Sequence, residues 1–131
     1  MKKMNNKGFT LMELLIVVAI IAVLVAIAIP VMNSQLEKAR EATDVANMRS
    51  AKAVAVVGYL SEGTTGTKYF DVVSGTLKDT KAEISKGYGK GTNIDGGMTE
   101  MGYAAGTATK DQIIEVIIAD DGGVTLNWVA K

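Results

Sequence analysis

Glu13 is the first acid of the chain and the residue best placed to do chemistry. Directly after it comes a run of 19 residues without a charge, Leu14 to Met32. At ~1.5 Å per helical residue the run would span ~28 Å, close to the ~30 Å hydrocarbon core of a bilayer. Thirteen of its residues are Leu, Ile or Val, and each favours the membrane by roughly 0.3–0.6 kcal/mol near the helix centre. An acid costs ~3 kcal/mol at mid-membrane and less near the edge. Insertion wins, so Glu13 is a carboxylate held at the lip of a membrane-length helix, where it needs a cation or an N–H donor as partner. Lys2, Lys3 and Lys7 precede the run, which keeps the amino terminus on the cytoplasmic side and sends the rest of the chain outward.

Elsewhere the chemistry is sparse. The chain has 14 basic and 14 acidic residues and no histidine or cysteine. Thiol, imidazole and the usual zinc sites are therefore excluded, as are disulfides. The remaining acids stand in no catalytic spacing, and an enzyme is not expected. Nor does the balanced charge indicate nucleic acid as a partner. Asp120-Asp121-Gly122-Gly123 reads as a hairpin turn. Asp120 and Asp121, with Asp95 further away, are the acids a calcium ion would use, but a hard cation wants six or more converging oxygens. No metal or cofactor is expected.

Three other readings compete for the amino terminus. A secretory signal would use Ala26-Ile27-Ala28 as a small-x-small cleavage site. Glu13 at the start of the apolar stretch and Pro30 just beyond the cut both oppose it. A plain single-span anchor would need only the apolar length. A buried helix in a soluble protein is opposed by 19 residues without a charge.

Gly8-Phe9-Thr10-Leu11-Met12-Glu13-Leu14-Leu15, then an Ile/Val/Ala run carrying Pro30, resembles the amino terminus of type IV pilins and of the related pseudopilins of type II secretion and DNA uptake. The resemblance covers about 25 residues. It implies a leader, residues 1–8, cut by a prepilin peptidase between Gly8 and Phe9, methylation of the new Phe9 amine, and polymerisation of the mature chain. It also implies a membrane and filament-core helix half over 9–32 and a globular domain over 33–131. Losing the leader removes three lysines and no acid, leaving 11 basic side chains against 14 acidic. The freed Phe9 amine would be largely protonated at neutral pH. Glu13 would then lie in the first helical turn, where the dipole favours an anion. An unpaired carboxylate in a filament core is strongly unfavourable, so Glu13 should pair with the Phe9 amine of its own chain or of a neighbour. One departure from the family matters. Ala22 stands where pilins often carry glycine, which makes unwinding between Ala22 and Pro30 less expected, since alanine is the better helix former by ~1 kcal/mol.

Beyond Pro30, Leu36, Ala39, Thr43, Ala46, Ser50, Ala53, Val57 and Leu60 are spaced alternately three and four apart. That spacing predicts a helical stripe of modest hydrophobicity facing the core, with Glu37, Arg40, Glu41, Asp44 and Arg49 mostly off it. The pattern predicts one long helix over about residues 10–60, kinked or opened at Pro30. Residues 61–67 read as a loop, 69–73 as a short strand, 77–86 as a short helix, 87–97 as a glycine-rich surface loop and 98–105 as a strand. Residues 113–118 and 124–129 are the clearest strands, joined by the hairpin at Asp120. Trp128 should point into the core. Lysines gather over 68–90 and acids over 91–131, so opposite-signed faces could meet between neighbouring copies.

The expected fold is α+β: a long amino-terminal helix, its first half hydrophobic and protruding, with a small antiparallel sheet packed on its second half. The resemblance implies a structural subunit of an extracellular type IV pilus, serving adhesion or twitching motility. The alternative is a major pseudopilin of a secretion or DNA-uptake system. Implied partners are identical subunits, the peptidase and methyltransferase, and an inner-membrane assembly platform. The implied location is the cytoplasmic membrane, amino terminus inside, and then the pilus.

Overall fold

The computed structural model describes residues 6–92, 101, 103 and 108–131, with side chains from Thr10 onward. Helix α1 covers Asn6–Glu62 and carries Pro30 inside it. Strand β1 (Gly66–Asp71) and strand β2 (Thr76–Lys78) are followed by a single 3-10 turn, Lys81–Glu83, and then by β3 (Gln112–Ile118) and β4 (Val124–Ala130). The sheet order is β2-β1-β3-β4, antiparallel throughout. The fold is α+β, a long helix with a four-stranded sheet against it. Two stretches differ from the sequence expectation. Strand β1 begins at Gly66, inside the 61–67 stretch read as a loop, and ends at Asp71 rather than residue 73. The segment over 77–86 is a short strand and one 3-10 turn, because Leu77 pairs with Phe70 across the sheet and overrides the helical spacing. The strand expected over 98–105 lies mostly outside the described residues.

The chain divides into two compact units between Asn33 and Ser34. In the first unit, every described side chain is exposed from Thr10 to Asn33. The large apolar residues of this stretch keep between 47% (Val25) and 64% (Ile27) of their surface. Among the described residues, this helix alone is long and apolar enough to cross a membrane.

The second unit has a single core. Val45, Met48, Ala51 and Ala55 of α1 meet Phe70 of β1 and Ile114, Val116 and Ile118 of β3. Those three β3 residues alternate, so they share one face of the strand. Ile113, on the opposite face, is buried as well, so the strand is covered on both sides at its start, while Ile117 further along that face is exposed. Tyr88 closes the core beside Trp128, their rings edge to face at 5.8 Å. The Tyr88 hydroxyl donates to the Phe70 carbonyl and accepts the Ile114 N–H, at 2.6 and 2.8 Å. Burial pushes its pKa up to about 12, which keeps it a donor at any physiological pH.

The predicted stripe is on the wrong face of the helix. Leu36, Ala39, Thr43, Ala46, Ser50, Ala53, Val57 and Leu60 are all exposed. The buried face is Glu37, Glu41, Asp44, Val45, Met48, Ala51 and Ala55. The period is right, but the phase is off by roughly 170°, which puts the predicted stripe on nearly the opposite side of the helix from the buried one. Three carboxylates read as lying off the buried stripe are in fact part of it. What satisfies them is the key to the second unit.

Candidate assembly site

Glu37, Glu41 and Asp44 fall at four- and three-residue spacing, so they share one face of α1. All three are fully buried. Charged side chains are almost never that buried unless paired, and for Glu37 and Asp44 a distant stretch of backbone supplies donors. Asp44 Oδ1 accepts the Lys90 N–H and Oδ2 the Gly91 N–H, each at 2.9 Å. Oδ2 also accepts the Tyr103 hydroxyl at 2.8 Å and the Thr109 hydroxyl. Glu37 Oε1 accepts the Thr92 N–H at 2.7 Å, while Oε2 accepts the Thr92 hydroxyl and Arg40 Nη1, the latter at 3.3 Å. The helix thus holds residues 90–92 through two carboxylates, in place of the hydrophobic contacts that usually dock a loop.

The held segment is itself ordered by backbone pairing. Tyr88 and Gly89 N–H groups both donate to the Gln112 carbonyl at 3.0 Å, and Thr109 and Lys110 to that of Gly91 at 3.1 Å. The approach is close enough that glycine is required. A Cβ on Gly89 would stand 1.9 Å from the Thr109 carbonyl oxygen, and one on Gly87 1.8 Å from that of Asp111. So the stretch read as a glycine-rich surface loop is partly interior: Tyr88, Gly89 and Gly91 are buried, and residues 93–97 lie outside the described residues.

Electrostatics favour the charged form of Glu37. Burial pushes the Glu37 pKa up, but the Thr92 hydroxyl, the Thr92 N–H and the Arg40 guanidinium together outweigh it and hold the group below its ordinary value. Burial, reinforced by the charges of Asp44 and Glu41, raises the Tyr103 hydroxyl well above its usual range. It therefore stays a donor to Asp44. Among the described residues the arrangement offers no open acid–base pair; it fastens the helix to a distant stretch of the same chain.

The residues that the sequence singled out are elsewhere. Gly8 and Phe9 lie within the backbone of α1, and Glu13 is an exposed residue of its amino-terminal stretch. Pro30 sits inside the same helix. Asp120 and Asp121 form the hairpin tip. The Asp120 carbonyl accepts the Tyr59 hydroxyl at 2.9 Å, and the Asp121 carboxylate accepts the Gly123 N–H at 2.9 Å. Gly122 has φ +90°, and a Cβ there would come 2.7 Å from the Tyr59 ring, so the tip lies flat against the helix only because this residue is glycine. Among the described residues, no group of three or more acids is placed to hold a metal, and Asp95 lies outside them.

Sequence reasoning missed the buried carboxylates. Their signal was present: Glu37, Glu41 and Asp44 continue in phase into Met48, Ala51 and Ala55. Only the donors were invisible, because they lie 46 to 65 residues away.

Similar proteins fit this arrangement. Residues 3–29 match the model of the prokaryotic N-terminal methylation motif. The chain is 33% identical over 134 residues to a fimbrial protein of Pseudomonas aeruginosa, covering 89% of this chain and 82% of that one. It is 35% identical over 125 residues to a fimbrial protein of Dichelobacter nodosus, covering 88% and 77%. A type IV major alpha-pilin of Moraxella bovis is 46% identical over 60 residues, 46% of this chain and 37% of that protein. No solved structure matches. Similarity that runs well past the methylation motif into the sheet-bearing unit, in a chain with an exposed apolar helix ahead of it, leads to one conclusion: the chain belongs to the type IV pilin family.

Proposed function

We propose that the chain is made as a membrane-inserted prepilin, cut between Gly8 and Phe9, methylated on the Phe9 amine, and polymerised through its amino-terminal helix. The pilin family is structural, and the chain is a structural subunit of a pilus. The observation that carries the reading is the stretch from Thr10 to Asn33, exposed in its entirety although most of it is apolar. Apolar surface on that scale marks a membrane or protein partner. The stretch is stable in lipid before assembly, and it leaves lipid only if other helices bury it again. Ala22 and Ala26, four apart, offer a small face on which another helix can approach closely.

Glu13 then selects the way in. Its carboxylate pairs with the Phe9 amine of its own or a neighbouring chain, so that neither charge enters the apolar core alone. On this reading residues 1–8 are the discarded leader, 9–32 the half that crosses the membrane and later lines the filament, and 33–131 the domain displayed outside for adhesion or motility. The peptidase, the methyltransferase and an inner-membrane platform act on it in turn, with the amino terminus inside before assembly. The relatives are named for fimbriae and pili, which favours this over a pseudopilus. Mass spectrometry of sheared surface filaments should give a chain starting at a methylated Phe9. A chain starting at Ile29 would mean a secreted protein released from its signal, and would end the proposal.

A further inference from the structure

The second unit carries opposite charge and opposite shape at its two ends. At one end, Arg40, Gly89, Lys90, Thr92, Lys110 and Asp111 line a hollow of about 180 Å³. Among the described residues it has three cations against one exposed acid, because Glu37 is buried beneath Arg40 and spends its charge there. The other end is the β3–β4 hairpin tip. Asp120 and Asp121 are exposed on it, and neither forms an ion pair among the described residues.

Both features are held in place. The hollow rests on the Asp44 and Glu37 bonds to residues 90–92. The tip rests on the Tyr59 hydroxyl, and Gly122 lets it lie against that ring. Arg40 and Tyr59 are 19 residues apart on α1, ~28 Å of helix, and β3 runs from Gln112, beside the hollow, to Ile118, beside the tip. The convex acid end and the concave basic end are therefore at opposite poles of one rigid body.

We infer that the hairpin tip of one copy, with Asp120 and Asp121, seats in the Arg40–Lys90–Lys110 hollow of the next, a head-to-tail seam between sheet-bearing domains. The partner is a second copy of this chain, since the two surfaces are opposite in charge and one is a hollow while the other is a hairpin tip. Complementary charge fixes register and orientation more than it adds affinity. A contact between different patches on each copy does not close on itself in pairs, so it propagates as a line or a helix. The inference rests on the pilus reading and adds a contact outside the apolar helix.

The chain contains no cysteine, which makes the test direct. Full-length Lys110→Cys/Asp121→Cys, assembled on cells and then mildly oxidised, should give a ladder of dimers, trimers and longer multimers. Cells mixing the two single-cysteine chains should stop at dimers. In parallel, Asp120→Lys/Asp121→Lys should lower filament yield by ~10-fold or more, and adding Lys90→Asp/Lys110→Asp should restore most of it, as expected for close charge pairs across an interface. Filaments containing the cysteine pair without any multimer ladder would overturn the seam and leave the pilus reading standing. So would undiminished yield from the reversed tip, or a charge swap that rescues nothing. Absence of the wild-type chain from surface filaments would remove both.

Discussion

Helix α1 uses its carboxylates in two opposite ways. Around Glu13 the helix is apolar, and all of it is exposed, acid included. From Glu37 to Asp44 the helix is highly charged, and its three acids on one face are buried while Leu36, Val57 and Leu60 remain open. For the acids of this helix, then, burial does not follow hydrophobicity. It follows the supply of partners. The second unit provides its own: the N–H groups of residues 90–92 and the hydroxyls of Thr92, Tyr103 and Thr109. The apolar stretch of the first, exposed along its described length, is proposed to find its partners in lipid and in other copies. A buried carboxylate with its donors in place is stable; one without them costs several kcal/mol. The two halves of the helix are the same problem solved inside the chain in one case and outside it in the other.

Separating the halves has the largest expected effect. A chain starting at Ser34 keeps the whole core of the second unit and loses every residue that calls for lipid. It should be a soluble, folded α+β monomer, whereas the full chain should require detergent or a membrane. Circular dichroism and proton NMR check this. An unfolded or aggregated product would mean that the carboxylate-held core needs the apolar helix after all.

Within that soluble domain, Asp44→Ala should be the most damaging point change. It leaves the Lys90 and Gly91 N–H groups and the Tyr103 and Thr109 hydroxyls without their acceptor. Buried donors left unsatisfied cost ~1–3 kcal/mol each, so even partial rescue by Thr109 and water leaves a loss of ~3 kcal/mol. For a domain near 100 residues that lowers Tm by roughly 12 °C or more. Thermal melts followed by circular dichroism read it. A shift of a degree or two would show that the loop is docked by something other than this carboxylate.

The buried acids also define what was legible in the sequence. The long helix, the β3–β4 hairpin and the Asp120 turn were readable because their signals are local: helical spacing, alternating Ile and Val, a glycine pair after two acids. The membrane-length stretch and Glu13 at its lip were readable for the same reason. The phase of the second half of α1 was not. Hydropathy favours the stripe from Leu36 to Leu60, and nothing near Asp44 in the sequence shows that a loop 46 or more residues on brings two N–H groups and two hydroxyls to it. The tight crossing at Gly87 and Gly89 was hidden too, since a glycine kept for close approach looks the same as one kept for a loop.

Glu37→Gln gives a smaller but sharper readout, because its effect depends on pH. The folded-state pKa of Glu37 lies below its ordinary value of 4.5. Its charge therefore stabilises the fold fully above that value, and the contribution is lost as pH falls through the depressed pKa. Wild type should melt higher than Glu37→Gln at neutral pH, and the two curves should converge as the pH is lowered below about 4.5. A difference that stays constant across that range would mean the Thr92 and Arg40 contacts do not depend on the charge.

The central claim concerns the half of the helix whose described side chains are all exposed, and Glu13 tests it most directly. Glu13→Ala still inserts, since losing a charge at the lip of the apolar run makes insertion easier, and the Gly8–Phe9 junction is untouched. The change would leave the Phe9 amine to enter the filament core alone. Breaking a buried pair costs ~3–5 kcal/mol, enough to lower association several hundred-fold or more. Sheared filament yield and the membrane pool of processed subunit should therefore be measured side by side for wild type, Glu13→Ala and Glu13→Gln. The expected result is cleaved subunit accumulating in the membrane with few or no filaments for both variants. Normal filament yield from both would show that the apolar helix assembles without the ion pair, and would contradict the account.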